Sequence, residues 1–201
     1  MRVTLIDHGA GNVASVERAL QRLGAEFLRA NTADAIASAD ALILPGVGHF
    51  SALVRALDEQ KFRAPIVDAL HRGIPFLGIC LGLQALFEFS EEAPQLRGLH
   101  ALAGSVCALP MTVKLPHMGW NQLESQRESR LLEGVSPLAY FYFAHSFAAG
   151  AESSATVATC THGAKFAAVL EQKNIHAVQF HPEKSGEAGA LVLQNFLGLA
   201  A

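Results

Sequence analysis

Pro75-Phe76-Leu77-Gly78-Ile79-Cys80-Leu81-Gly82-Leu83-Gln84 is the stretch on which the reading of this chain turns. Pro75–Gly78 is apolar and strand-like, and from Leu81 to about Phe89 the pattern reads as helix. Between them, Gly78-Ile79-Cys80-Leu81-Gly82 has the glycine-x-nucleophile-x-glycine form of a strand-to-helix elbow. Glycines on either side of the nucleophile allow a turn too tight for side chains there. Such a turn lifts the sulfur above the C-terminal edge of a sheet, where open α/β folds place their sites. At a helix N-terminus Cys80 also faces unpaired N–H groups, which favour thiolate over thiol. On its own the pattern is equally that of a plain glycine-rich turn.

Outward from the elbow, the first half alternates strands with helices. Val3–Ile6 is a strand, and Asn12 is placed to cap a helix running to about Leu23, where Gly24 stops it. Ala41–Leu44 is an apolar strand ended sharply by Pro45-Gly46. Helices follow over about Ser51–Leu57 and Phe62–Arg72, the latter before Gly73. This alternation predicts a three-layer α/β fold, an open and mostly parallel mixed sheet with helices on both faces. From residue 99 to 180 β-branched and aromatic residues increase, as in Phe141–Phe147 and Val178-Gln179-Phe180, which predicts antiparallel strands. A closing helix from about Glu187 to Leu197 packs back on the sheet. Neither repeat, low-complexity segment nor linker divides the chain, so one domain over residues 1–201 is expected.

With 51% hydrophobic and 16% charged residues among 201, the chain is no disordered tail. A net charge of −3 without a basic run gives no footprint for nucleic acid or anionic lipid. No apolar run is long enough to span a bilayer, and the N-terminus reads as a strand and not as a signal peptide, so a cytosolic protein is expected. The three cysteines lack CxxC spacing and fit reduced thiols. Cys107 and Cys160, in apolar or strand-like stretches, read as buried structural thiols.

Two further segments complete a reactive set. In Gln179-Phe180-His181-Pro182-Glu183, Pro182 holds His181 extended, so that His181 and Glu183 project to one side as positions i and i+2 of a strand do. A base with a carboxylate to orient it is what nucleophilic catalysis needs. A metal pair is not completed by any neighbouring ligand. Pro45-Gly46-Val47-Gly48, directly after a strand, offers a mobile backbone whose N–H can turn toward developing negative charge. Each element has an ordinary explanation as a turn or a strand end; their joint occurrence on an α/β pattern does not.

These segments resemble those of the class I (triad) glutamine amidotransferases. Further matches point to one branch, the glutaminase subunits of imidazole glycerol phosphate synthases. They are Ile6-Asp7-His8-Gly9-Ala10-Gly11-Asn12, Leu44–Gly48, Gly78–Gln84, Pro116-His117-Met118-Gly119-Trp120-Asn121, Phe143-Ala144-His145-Ser146 and Phe180–Gly186. They span nearly the whole chain in the expected order. The resemblance implies that Cys80 attacks the glutamine side-chain amide, with His181 as acid and base and Glu183 as its orienting carboxylate. Oxyanion donors would be the N–H of Leu81 and, after a peptide flip, that of Val47 or Gly48. Gln84, Ser146 and Phe147 match positions around bound glutamine. The implied partner is a separate barrel-shaped cyclase subunit that binds a phosphoribosyl-type nucleotide and receives the ammonia. Asn12, Met118, Trp120, Tyr142 and Lys184 match interface and ammonia-gate positions; ordinary core is the lesser reading of Trp120, and a plain surface cation is the alternative for Lys184. No cofactor, metal, nucleic acid or membrane is implied. His8, Leu83 and Phe147 depart from the residues frequent in that branch.

Three other readings compete. Gly9-Ala10-Gly11-Asn12-Val13-Ala14 fits the dinucleotide fingerprint of a Rossmann oxidoreductase. Asp7, however, would sit beside the pyrophosphate, and no acidic residue ends the second strand near Arg29-Ala30-Asn31. Amidotransferase subunits serving anthranilate, aminodeoxychorismate or pyridoxal phosphate synthesis share the triad but are less well matched by PHMGWN and HPEKSG. A non-catalytic docking module would be marked by a lost triad residue, and all three are present.

Overall fold

Short, fully buried strands form the centre of the molecule. The computed structural model describes residues 2–9 and 12–200. In chain order the first half comprises β1 (Val3–Ile6), α1 (Val13–Arg22), β2 (Phe27–Ala30), α2 (Ala33–Ala37), β3 (Ala41–Gly46), α3 (Phe50–Glu59), α4 (Arg63–His71), β4 (Phe76–Cys80) and α5 (Leu81–Gln84). The second half is β5 (Phe87–Ser90), β6 (Leu102–Ala108), β7 (His117–Gln122), β8 (Glu124–Ser125), β9 (Tyr140–His145), β10 (Phe147–Ala149), β11 (Thr156–His162), β12 (Ala164–Gln172), β13 (Ile175–Val178), a 3-10 turn (Pro182–Lys184) and α6 (Gly186–Leu199).

The main sheet has eight strands in the order β2-β1-β3-β4-β13-β12-β11-β8. It is parallel from β2 through β13 and antiparallel beyond, so both the α/β expectation and the antiparallel second half hold. Strand residues alternate between two cores, as a pleat requires. Leu42 and Leu44 face one core with Leu53, Leu57, Ile66 and Phe76. Ala41 and Ile43 face the other with Val16, Leu20, Val192 and Phe196. Helices therefore cover both faces. Beside the main sheet stand a three-stranded sheet, β10-β6-β5, and a two-stranded ribbon, β7-β9.

Four local expectations change. The helix beginning at Leu81 ends at Gln84, and Phe87–Ser90 is a strand paired in parallel with β6. Its Phe-Glu-Phe-Ser alternation has a strand's period of two. Pro45-Gly46 does not end β3 but belongs to it, with Pro45 opposite Ile79 and Gly46 opposite Cys80. Pairing with β1 stops at Ile43, so the N–H that Pro45 lacks leaves no ladder bond unmade on that side. Asn12 occupies the cap position of α1 but makes no side-chain capping bond. Cys107 is exposed, because β6 turns Val106 inward and Cys107 out; Cys160 is buried as expected. Ala10 and Gly11 of the first glycine-rich turn lie outside the described residues.

Candidate active site

The ends of three neighbouring strands converge on one point. β4 ends at Cys80, β3 runs beside it into Val47-Gly48, and β13, on the other side of β4, leads through Gln179-Phe180 into His181. Cys80 itself takes the strained conformation, φ 54° and ψ −104°, which is uncommon for a residue with a side chain. The flanking glycines serve close packing. A Cβ on Gly78 would lie 2.7 Å from the Gly82 carbonyl oxygen, and one on Gly82 would lie 1.9 Å from that of Leu44. In the Gly46–Gly48 segment the two glycines differ. A Cβ on Gly46 would meet Leu81 Cβ at 2.8 Å, whereas Gly48, at φ +97°, has open space around it. The conformational freedom read into this segment therefore lies at Gly48.

His181 is buried. Its Nδ1–H donates to Glu183 Oε1 at 3.0 Å, and the Glu183 side chain is only 1% exposed. The two project to one side as the sequence suggests, but from the start of a 3-10 turn and not from a continuing strand. Burial alone would push the imidazolium down, yet hydrogen bonding and charge attraction from Cys80 and Glu183 outweigh it and lift His181 to about 10. Ser185 fixes this turn. Its Oγ–H donates to the His181 carbonyl at 2.7 Å and accepts from Tyr142 N–H at 3.0 Å, while His181 N–H donates to the Tyr142 carbonyl at 2.8 Å.

Cys80 and His181 open on a cavity of about 530 Å³. Val47, Gly48 and Leu81 line it together with Gln84, Ser146 and Phe147, and so do Asn12 and Lys184. All of the residues expected around an oxyanion and a glutamine are thus brought together. Met118, Trp120 and Tyr142 are not among its lining residues. Met118 and Trp120 are 68% and 55% exposed, which removes the core reading of Trp120. Trp120 packs edge-on against Tyr142, its partner in the β7-β9 register, at 5.9 Å, and Lys184 Nζ lies 5.6 Å above the Tyr142 ring.

Four residues of the site carry no role in the sequence reading. Gln179 Nε2–H donates to Cys80 Sγ at 3.6 Å. Glu92 lines the cavity and accepts from Phe50 N–H at 2.7 Å. His145 donates from Nδ1 to the Phe147 carbonyl at 2.9 Å and accepts at Nε2 from His117 Nδ1–H at 3.1 Å. Burial is the main force pushing both down, His145 to about 3 and His117 to about 4, so the pair is neutral. His8 donates from Nε2 to the Pro45 carbonyl at 3.0 Å, at the root of the Val47-Gly48 segment. Among the described residues no cluster has the make-up of a metal site.

A buried thiol–imidazole–carboxylate set on a strained elbow, facing a cavity, has the make-up that cysteine-dependent acyl transfer requires. The chain belongs to the class-I glutamine amidotransferase family, whose model matches residues 4–199. It is therefore a glutamine amidotransferase, and the oxidoreductase reading of Gly9–Ala14 falls. It is 45% identical over 195 residues to imidazole glycerol phosphate synthase subunit HisH of Methanothermobacter thermautotrophicus, covering 97% of each chain. To the subunit of the same description from Deinococcus radiodurans it is 45% identical over 197 residues, 96% of this chain and 92% of that one. Among solved structures, PurLQS from Thermotoga maritima matches with a TM-score of 0.79 at 20% identity, covering 100% of this chain and 99% of that chain, a likeness of fold.

Proposed function

We propose that this chain hydrolyses glutamine at Cys80 and delivers the ammonia to a barrel-shaped cyclase subunit. That subunit makes imidazole glycerol phosphate and AICAR in histidine biosynthesis. The observation that carries the reading is the strained, cavity-facing Cys80 beside an imidazole that Cys80 and Glu183 together hold protonated. Cys80 thiolate attacks the side-chain amide carbon, and the His181 proton passes to the departing nitrogen as the C–N bond breaks, giving ammonia and a thioester. His181 then takes a proton from water, the resulting hydroxide attacks the thioester, and the S–C bond breaks to return thiolate and imidazolium with release of glutamate. Leu81 N–H and a turned N–H of Val47 or Gly48 hold the oxyanion; one such donor is typically worth about 3–4 kcal/mol of barrier. Gln84, Ser146 and Phe147 shape the glutamine pocket, and the Glu92 carboxylate suits the substrate's α-ammonium.

The likeness to the HisH subunits supports the partner. So does the exposed patch of Met118 and Trp120 with Tyr142, against which Lys184, a lining residue of the cavity along with Asn12, is set. An aromatic and methionine patch of this kind is a common interface anchor. Residues 1–201 act as one domain in this reading, in the cytosol and without membrane or nucleic acid; no described helix is long and apolar enough to cross a membrane. The test is glutamate release by the full chain with and without the cyclase and its nucleotide ligand. Strong activation by the pair is expected, together with its complete loss in Cys80→Ala while the two subunits still associate. Residual turnover in Cys80→Ala would refute the nucleophile, and high turnover that ignores the cyclase would refute the partner.

A further inference from the structure

We infer that Gln179 is a further catalytic residue, whose side-chain amide donates to the attacking sulfur of Cys80 and holds it in place as a thiolate. The inference rests on Cys80 being the nucleophile. Gln179 is fully buried, and its Nε2–H donates to Cys80 Sγ at 3.6 Å, alongside the hydrogen bond between Cys80 and His181.

The direction of that bond is set by a chain of amides anchored on a backbone carbonyl. Gln84 Nε2 lies 2.8 Å from the Phe147 oxygen, which can only accept, so the Gln84 amide has its nitrogen there. Its second N–H points to Gln179 at 3.2 Å, and an oxygen must receive it. Gln179 therefore turns its Oε1 to Gln84 and its Nε2–H to the sulfur. The Phe147 oxygen also takes the His145 N–H at 2.9 Å, which pins the anchor from a second side. Both N–H groups of Gln84 are spent in this chain, which leaves its Oε1 as the one atom for substrate. Gln84 is thus a strut toward Gln179 as well as a wall of the glutamine pocket.

A neutral amide suits this position. It stabilises the thiolate without a proton to lose, so it does not compete with His181 for the acid–base role. A thioester sulfur is a poor acceptor, so the bond weakens when the acyl-enzyme forms and returns as the thiolate leaves. Gln179 thereby favours both the attacking and the departing sulfur over the covalent intermediate. The titratable groups around Cys80 are His181 with Glu183 behind it and, along the same cavity, His145, Lys184 and Glu92. Among these only His181 changes charge in the cycle.

The experiment is iodoacetamide alkylation of Cys80 as a function of pH, followed by peptide mass spectrometry on the full chain carrying Cys107→Ser, which removes the exposed competing thiol. Gln179→Met keeps the length and loses the donor. It should slow alkylation about tenfold below the wild-type midpoint and move the midpoint up by about one pH unit. Gln179→Glu, which sets a carboxylate against the sulfur, should move it further. Gln84→Met leaves Gln179 native but untied, and should give a smaller shift of the same sign. In the unsubstituted chain the Gln179 side-chain amide resonance should move when Cys80 is alkylated, a readout that needs no folded variant. A purely packing role for Gln179 predicts superimposable alkylation profiles and an amide resonance blind to alkylation, and either result overturns the inference. Failure of alkylation at Cys80 to stop glutamine hydrolysis would instead bring down the nucleophile assignment itself.

Discussion

Gly82→Ala isolates the packing that builds the elbow. A Cβ at Gly82 would lie 1.9 Å from the Leu44 carbonyl oxygen and 3.0 Å from its carbon, both backbone atoms that no rotamer change can move aside. An ordinary carbon–oxygen contact needs α5 to back away from β3 by somewhat more than ~1 Å. Overpacking of this kind costs about 1–3 kcal/mol, or roughly 2–12 °C in Tm for a chain of this size. The activity should suffer more than the stability. The same displacement carries Leu81 N–H and Cys80 away from Val47-Gly48, and a misplacement of about 1 Å at reacting atoms is worth about 10²-fold in rate. Glutamate release in the presence of the cyclase and thermal unfolding measure the two effects separately. Gly24→Ala is the control. Its φ of +68° makes alanine strained, but the space around it is open and it lies at the far end of α1. It should lose about 1 kcal/mol and keep full activity. Gly82→Ala with hydrolysis within about threefold of the parent would show that the elbow does not depend on this contact, and the argument would fail.

Stability should fall as the pH drops below about 6.5, the ordinary histidine value that the unfolded chain retains. His145 and His117, held down to about 3 and about 4, stay neutral in the folded chain while the unfolded chain takes up their protons. Each adds up to about 1.4 kcal/mol per pH unit to the loss until its folded value is passed. His181, raised to about 10, is protonated in both states below 6.5 and adds no slope there. Urea midpoints at pH 6.5, 5.5 and 4.5 read this out, below the range in which His181 contributes slope, and equal midpoints would contradict it. Trp120→Ala should weaken binding to the cyclase by about 2 kcal/mol, roughly thirtyfold in Kd by calorimetry, with Tm unchanged because the ring is largely exposed. Unaltered affinity would remove β7 from the interface.

Much of this was legible from residue types at short spacing. The elbow, the strand–helix alternation and His181-Pro182-Glu183 are local patterns, and each stands where its spacing puts it. Boundaries failed where a neighbour decides them. Helix pattern continues past Gln84, but β6 offers Phe87–Ser90 a strand to pair with. Pro45-Gly46 reads as a stop, yet β4 alone is enough to continue β3. Cys107 looks buried because its stretch is apolar, and only the pairing of β6 shows which face is inward. The bond between Gln84 and Gln179 has no sequence signal at all, since it joins residues on α5 and after β13. Neither glutamine's amide can be oriented until the Phe147 carbonyl is placed against Gln84, at the end of their chain.

The Phe147 carbonyl also explains why Pro116–Asn121 is written as it is. Along β7 successive residues alternate in direction. Met118 and Trp120 point outward, on the face proposed to meet the cyclase, while His117 is buried. Asn121, on the side of His117, donates from Nδ2 to His117 Nε2 at 3.4 Å. His117 donates onward to His145, and His145 to the Phe147 carbonyl. From the other side the same oxygen anchors Gln84 and Gln179 and, through them, the sulfur. One face of a single strand is therefore free for docking, and the other is tied by neutral donors and acceptors to the reacting atom. Burial keeps those histidines neutral, and neutrality gives each ring one donor and one acceptor, so the direction of the chain is fixed. In the proposed complex, a displacement of β7 would have a hydrogen-bonded path to the glutamine pocket that passes through no charged group.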